Sequence, residues 1–490
     1  MLRGTFTGAP LCFWPAAADI IDPLRNSLFA IPRPVLSLLF LGLLCLPASA
    51  GEPSLSEAAG WLREYLRIDT SNPPGQEHRA AAFLSYLLAR ERISPRLLVA
   101  PDGRTSLYAR VPATVAGGGG AVVLVHHMDV VPPGAGWKAE PFEGTVADGK
   151  LWGRGALDVK SLGIAHLAAV VDLVRKGLPR KRDLIFLAVA DEELGGKRGT
   201  GWLLEQHPEL FEGVEAVLNE GGSGRTTPDR FLWWEVEVSQ KRPLWLKVST
   251  RGQPGHGSGY NPDSAVHRLI AALDRMIAVP HPYRVSEPVR AYCRAIGPLH
   301  KTARYRELFA NIDAAISPTG PTAMLLPGLQ RLFLDTVQVT GLEGSDSINV
   351  IPAAASALVD ARLLPDTDAD ALLAELTRAL GDGVKVEVLL TSPPSSPSPT
   401  GTPVWRAIAE GLAEEGQCVP SVSAGFTDSR YFRERGIAAY GVSPFIIPIE
   451  DAGGIHAADE RIPIVEFDRG VERMRRIVEA LTRVDASIRD

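Results

Sequence analysis

Cysteine is scarce in this 490-residue chain: four residues, two of which, Cys12 and Cys45, fall within the first 50 positions. With those positions removed, only Cys293 and Cys418 remain. The two could pair, but this is no disulfide scaffold. Basic runs are lacking too. Lys and Arg number 51 against 57 Asp and Glu, well interspersed, which speaks against a nucleic-acid partner. Long apolar runs are absent apart from Ser37-Leu38-Leu39-Phe40-Leu41-Gly42-Leu43-Leu44-Cys45-Leu46, which follows Arg33-Pro34 and leads into Ala48-Ser49-Ala50. That run is short for a mature membrane span and ends in a small-residue cleavage pattern. Residues 1–50 therefore read as a secretory signal, with an uncleaved anchor as the alternative. The expectation is an exported protein with no stable membrane insertion after cleavage, carrying 48 basic and 55 acidic residues once Arg3, Arg25, Arg33, Asp19 and Asp22 are removed.

What is present is ordinary in bulk: 22% charged and 45% hydrophobic residues, in a chain too long for one compact core. Residues 54–98 carry apolar positions at helical spacing, broken by Ser71-Asn72-Pro73-Pro74-Gly75. The runs at 121–125, 184–189 and 216–218 are continuous and apolar, as in strands buried on both faces, with a helical stretch at 161–176 between the first two. Strand, helix, strand at these lengths implies an α/β sheet with ligands at the carboxyl ends of its strands. From Pro243 the pattern alternates. Strands at 245–250, 336–339, 357–362 and 384–390 with helices at 264–277 and 368–380 give a β-α-β-β-α-β order. Residues near 283–335 read as an insertion in it, and the Ser- and Pro-rich stretch 392–399 as a stiff linker.

The chemistry gathers where apolar runs end. His127-Met128-Asp129 follows the first strand, and a carboxylate two residues from an imidazole can orient it. Gly153-Arg154-Gly155-Ala156-Leu157-Asp158 opens a helix, where Asp158 is either an N-cap or a carboxylate able to bridge two cations. Asp191-Glu192-Glu193 follows the second strand, and adjacent carboxylates repel unless a cation sits among them. Glu220 follows the third, and His456 lies far downstream. Two imidazoles and several carboxylates suit borderline divalent metals such as zinc, so the pattern reads as a two-metal hydrolase.

These segments, with Gly255-His256-Gly257-Ser258, Asn349-Val350-Ile351-Pro352, Asp360-Ala361-Arg362 and Gly454-Ile455-His456, resemble the M20 family of metallopeptidases in order and spacing. The secreted N-acyl amino-acid hydrolase and carboxypeptidase branch is the most similar. The resemblance implies an α/β fold: a mixed-sheet zinc-hydrolase catalytic domain with an inserted ferredoxin-like (βαββαβ) lid domain. The catalytic domain would span 51–242 and 391–490, and the lid or dimerisation domain 243–390. It implies two divalent ions, zinc or else cobalt or manganese. Asp158 would bridge them, His127 and Glu220 completing one site and Glu193 and His456 the other. Glu192 would be the general base, Asp129 would hold the second nitrogen of His127, and His256 would steady the oxyanion across a possible homodimer. Asn349, Arg362 and, on a looser match, Thr427 would meet a small peptide or N-acyl amino acid, Arg362 gripping its α-carboxylate. The Asp158–Val159 peptide would be cis. The rivals are a dipeptidase of the same family, a single-metal aminopeptidase, and a metal-dependent peptide binder without catalysis.

Overall fold

The computed structural model describes residues 54–484, apart from 116–118, 228–229, 318–319 and 322–326. The expected signal at 1–50 lies outside the described residues, and among them no helix is long and apolar enough to cross a membrane.

A nine-stranded mixed sheet dominates, and its four central neighbours, Leu184–Val189, Ala121–His127, Val214–Gly222 and Ala438–Val442, run parallel. The first two are buried at every position, because helices cover one face and a helical-turn layer the other. Val122 and Leu124 point to the larger core beneath the helices Glu57–Leu66, Lys160–Arg175 and Ile464–Thr482, whereas Val123 and Val125 point to the second. This alternation sends His126 into the larger core, its ring edge-on to Tyr65. It leaves His127 at the strand end, and a one-residue slip would exchange the two histidines. The reading of 54–98 as helical fails at its end: Pro95–Val99 is an edge strand paired with Thr105–Val111, formed where β-branched and leucine residues meet a partner strand that local periodicity does not reveal.

His166, on the helix Lys160–Arg175, is fully buried beside His126, and both of its ring nitrogens lack a hydrogen-bond partner. Burial pushes its pKa down to about 3. A depressed folded pKa means that the stability is complete above the unfolded value of about 6.5 and is lost as pH falls, so this group should cost about 2 kcal/mol at pH 5. The His166→Leu variant should therefore lose less stability than the parent between pH 7 and 5, by about that amount in urea titrations. Parallel losses in the two proteins would contradict it.

The second sheet has the order Thr336–Glu343, Ala354–Leu363, Arg242–Arg251, Val384–Thr391, every pair antiparallel. The helices Ala265–Ile277 and Ala369–Leu380 pack on it through Leu269, Leu273, Leu372 and Leu376. The first strand lies between the third and fourth, the ferredoxin-like arrangement. The chain passes from the large sheet to this one at Lys241, whose ammonium donates to the carbonyls of Arg331 and Leu334.

Two expectations change. The segment near 283–335 is interposed in the small domain's sequence, but its helix Glu287–Ile296 packs against the strand Cys418–Ser423 of the large sheet. Val289, Tyr292, Ile296 and Phe309 join Trp233 and Val419 in one apolar cluster. The Ser-Pro stretch, expected to be a stiff linker, is anchored to the large sheet at Ser398. The Ser398 amide donates to the Val238 carbonyl and its hydroxyl to the Ala439 carbonyl, fastening the returning chain to the sheet. Cys293 and Cys418 are both free thiols, each pushed up to about 12 by burial.

Candidate metal centre

The carboxyl ends of the parallel strands deliver His127, the Glu192-Glu193 turn after Leu184–Val189, and Glu220 to one place. The loop before Lys160–Arg175 adds Asp158, and the loop carrying His456 arrives from the distant C-terminal part. His127 Nε2 lies 3.1 Å from Asp158 Oδ1 and 3.6 Å from Glu220 Oε1. His456 Nε2 lies 3.1 Å from Asp158 Oδ2 and 3.3 Å from Glu193 Oε2. Two donor trios result, His127–Asp158–Glu220 and Asp158–Glu193–His456, each with its ligand atoms within 4.8 Å of one another. They share Asp158, one oxygen toward each imidazole. The donor set of imidazole nitrogen and carboxylate oxygen fits a pair of divalent cations.

The electrostatics agree. Burial pushes Glu220 up to about 8, helped by the neighbouring Asp158 and Glu193 and only partly offset by His127. Hydrogen bonds to Asp158 and Glu193 raise His456 to about 10. Burial opposes ionisation of Asp158, but hydrogen bonds from His127 and His456 outweigh it and hold the carboxyl below its usual range. So many buried carboxylates together make a site that attracts cations.

Asp129 does something other than the sequence suggests. His127 Nδ1 bonds the main-chain carbonyl of Asp129 at 2.7 Å, with the carboxylate at 3.7 Å. The carboxylate instead accepts from the amides of Glu192 and Glu193, at 3.1 and 3.2 Å, and from Asn72 Nδ2 at 2.8 Å. It fixes the turn that carries the acidic pair. Glu192 itself belongs to neither trio. Burial and repulsion from Glu220 raise its carboxyl well above the ordinary carboxylate range.

Sequence reasoning missed the supports. Glu460, fully buried, accepts from the amides of Gly155, Leu157 and Asp158 at 2.9, 2.7 and 3.0 Å and pairs with Arg154 at 2.7 Å. One carboxylate thus ties the Asp158 loop, whose Asp158–Val159 peptide is cis, to the loop that carries His456. Arg104 pairs with Glu77, bonds Asn72 Oδ1 at 3.0 Å and stands 3.9 Å from Asp129, completing a buried network behind His127. The only available signal was position: Glu460 follows His456 by four residues.

The expected substrate-side residues fall into two groups. Arg362 is half-buried, its Nε and Nη2 bonded to Asp360 at 2.6 and 2.9 Å and its plane 4.6 Å over the Phe426 ring. The pairing with Asp360 leaves the Nη1–Nη2 edge of the fork for a second carboxylate. Thr427 is buried, its hydroxyl engaged with Gln240, Asn219 and the Ser429 amide. It braces the loop, and the structure does not offer it to a ligand. His256 and Asn349 belong to neither trio: both are exposed, His256 in a two-stranded ribbon with Val350–Ile351 and Asn349 just before the second strand. There the Gly257 amide bonds the Asn349 carbonyl at 2.7 Å, and His256 Nδ1 meets Ser258 Oγ at 2.8 Å.

A model of peptidase family M20/M25/M40 matches residues 123–480. Aminoacylase-1 of Sus scrofa is 31% identical over 454 residues, 90% of this chain and 98% of that protein. Human carnosine dipeptidase 1 superposes with a TM-score of 0.67 at 17% identity, over 87% of this chain and 96% of that one. An M20 family metallo-carboxypeptidase from Sulfolobus solfataricus gives 0.66 at 19% identity, over 87% and 99%. At these identities the two structures speak for the fold alone.

Proposed function

The chain belongs to peptidase family M20/M25/M40 and is a hydrolase of amide or peptide bonds, and from that premise we propose that it cleaves a small substrate with a free α-carboxylate, an N-acyl amino acid before a short peptide. Two divalent ions, zinc by the donor set, would be held by His127, Asp158 and Glu220 and by Asp158, Glu193 and His456. When bound, they supply Lewis acidity and lower the pKa of the attacking water. The observation that carries the reading is the pair of trios joined through Asp158, with Glu192 beside them and in neither. A protein that only held peptide has no use for that extra carboxylate. Glu192 accepts the proton as the water oxygen joins the acyl carbon, and returns it to the nitrogen as the C–N bond breaks. The name of the aminoacylase relative favours an acylated amino acid.

Arg362 would grip the α-carboxylate with its remaining edge, held flat by Asp360 and Phe426. The small sheet then acts as the lid. The exposed His256 would serve the site of a second copy in a homodimer formed through that lid, with Asn349 beside it. Export through residues 1–50 completes the proposal. A charged hydrogen-bond pair is worth about 1.5–3 kcal/mol, so Arg362→Ala should raise KM for an N-acyl amino acid roughly tenfold to a hundredfold. The same compound amidated at its carboxyl end should barely notice the change. Equal losses on acid and amide would remove Arg362 from this role, and preference for unblocked dipeptides would make the protein a dipeptidase.

A further inference from the structure

Arg430 is a buried cation with no part in either donor trio. Its Nε has no hydrogen-bond partner, and the carboxylate of Glu434 stands 3.7 Å away, beyond a hydrogen bond. A buried charge so loosely paired is costly to the fold. Arg430 Nη2 donates instead to the Gly195 carbonyl at 2.5 Å, where the Tyr431 hydroxyl also donates at 2.8 Å. Gly195 closes the turn Glu192–Leu194, so the two donors pin the end of the segment that carries the acidic pair.

The same guanidinium lies 5.6 Å from the centre of the Phe426 ring, and that of Arg362, on the small sheet, lies 4.6 Å from it. Phe426 also packs against Trp245 of the small sheet, ring centres 5.5 Å apart at 60°. Trp245 and Arg362 form a unit of their own. Trp245 pairs with Asp360 across neighbouring strands, and its Nε1 donates at 2.8 Å to Asp360 Oδ1, the oxygen that also accepts from Arg362 Nε. Phe426 thus docks this unit on the large domain. Its loop is held at the domain crossing, where Gln240 Nε2 donates to the Thr427 carbonyl at 3.1 Å. A second contact from the small sheet meets the acidic turn itself. Leu390 lies so close to Gly195 that a side-chain carbon there would come within 2.7 Å of Leu390 Cδ2.

We propose that Phe426 is a positioning residue that sets the α-carboxylate grip in register with the acidic turn. The inference rests on the functional reading above and deepens it. Asp360 aligns the Arg362 fork, but Asp360 and Trp245 belong to the small sheet and fix nothing relative to Glu192. The Phe426 ring supplies that link. It holds Arg362 by a cation–π contact and also meets Arg430, which grips the turn. A substrate held at its carboxylate is thereby oriented at its scissile amide, so a contact remote from the reacting bond appears in kcat.

The zinc-loaded protein, given N-acetyl-L-leucine and N-acetyl-L-leucinamide, tests this. Phe426→Leu keeps an apolar side chain and loses the ring face. Arg362 retains both bonds to Asp360, so KM for the acid should change by less than about fivefold. Its kcat should fall by about tenfold, and the acid-to-amide ratio of kcat with it. Phe426→Tyr, which keeps the ring, should hold the parent's values. In an Arg362→Ala background Phe426→Leu should lower kcat for the acid no further, because the grip that it positions is gone. An acid kcat unchanged in Phe426→Leu, lost equally in Phe426→Tyr, or lowered again in the Arg362→Ala background would overturn the inference. None of these outcomes touches the selective KM loss of Arg362→Ala on the acid. Absence of that loss would overturn the reading on which the inference rests.

Discussion

Glu192→Gln should lower kcat by about 10²–10⁴ on every substrate the protein cleaves, with the metal content of the purified protein unchanged. The substitution keeps the size of the side chain, and the backbone amide at 192 still donates to Asp129 at 3.1 Å, so the turn and the neighbouring Glu193 stay in place. What is removed is the ability to accept and return a proton. Both trios form without Glu192, so metal should remain. Metal analysis beside steady-state kinetics on an N-acyl amino acid checks this. Retained turnover would take the general base elsewhere, and loss of metal together with turnover would make Glu192 a ligand.

Glu460→Ala should destabilise the fold by about 3–5 kcal/mol, because it leaves the Arg154 guanidinium buried without its partner. Three amides of the Asp158 loop lose their acceptor at the same time. Supporting contacts behind metal ligands typically tune affinity 10–100-fold, so zinc should bind weaker by about that factor although no ligand has changed. Urea unfolding of the metal-free protein measures the first effect, and competition with a chromogenic chelator the second. An unmoved unfolding midpoint would contradict the structural role, and unchanged zinc affinity would deny the coupling of the two loops.

The sequence made the framework legible because its signals are local. Buried parallel strands read as unbroken apolar runs at 121–125 and 184–189, and the acidic and histidine residues stand where those runs stop. The alternating strands of the small domain were equally plain, since each shows one face to Leu269 and Leu376 and the other to solvent. Hidden features depend on partners far apart in the chain. Glu460 looks like any loop acid until Gly155, Leu157 and Asp158, some 300 positions earlier, turn their amides toward it. Which oxygen of Asp129 meets His127 depends on how the backbone turns after the strand. The helices of the inserted segment are amphipathic, and a local pattern says that a face is buried without saying against what. Thr427 was placed at the substrate only by a loose match of Gly425-Phe426-Thr427-Asp428 to the family's turn. In the fold Gln240 and Asn219 close over it.

The most direct test of a two-metal amidase is to strip the protein with a chelator and restore zinc in measured steps while following hydrolysis of an N-acyl amino acid. The shared Asp158 predicts that the stripped protein is inactive and that full activity returns only with two equivalents per chain. Full activity at one equivalent, or with none, would contradict it.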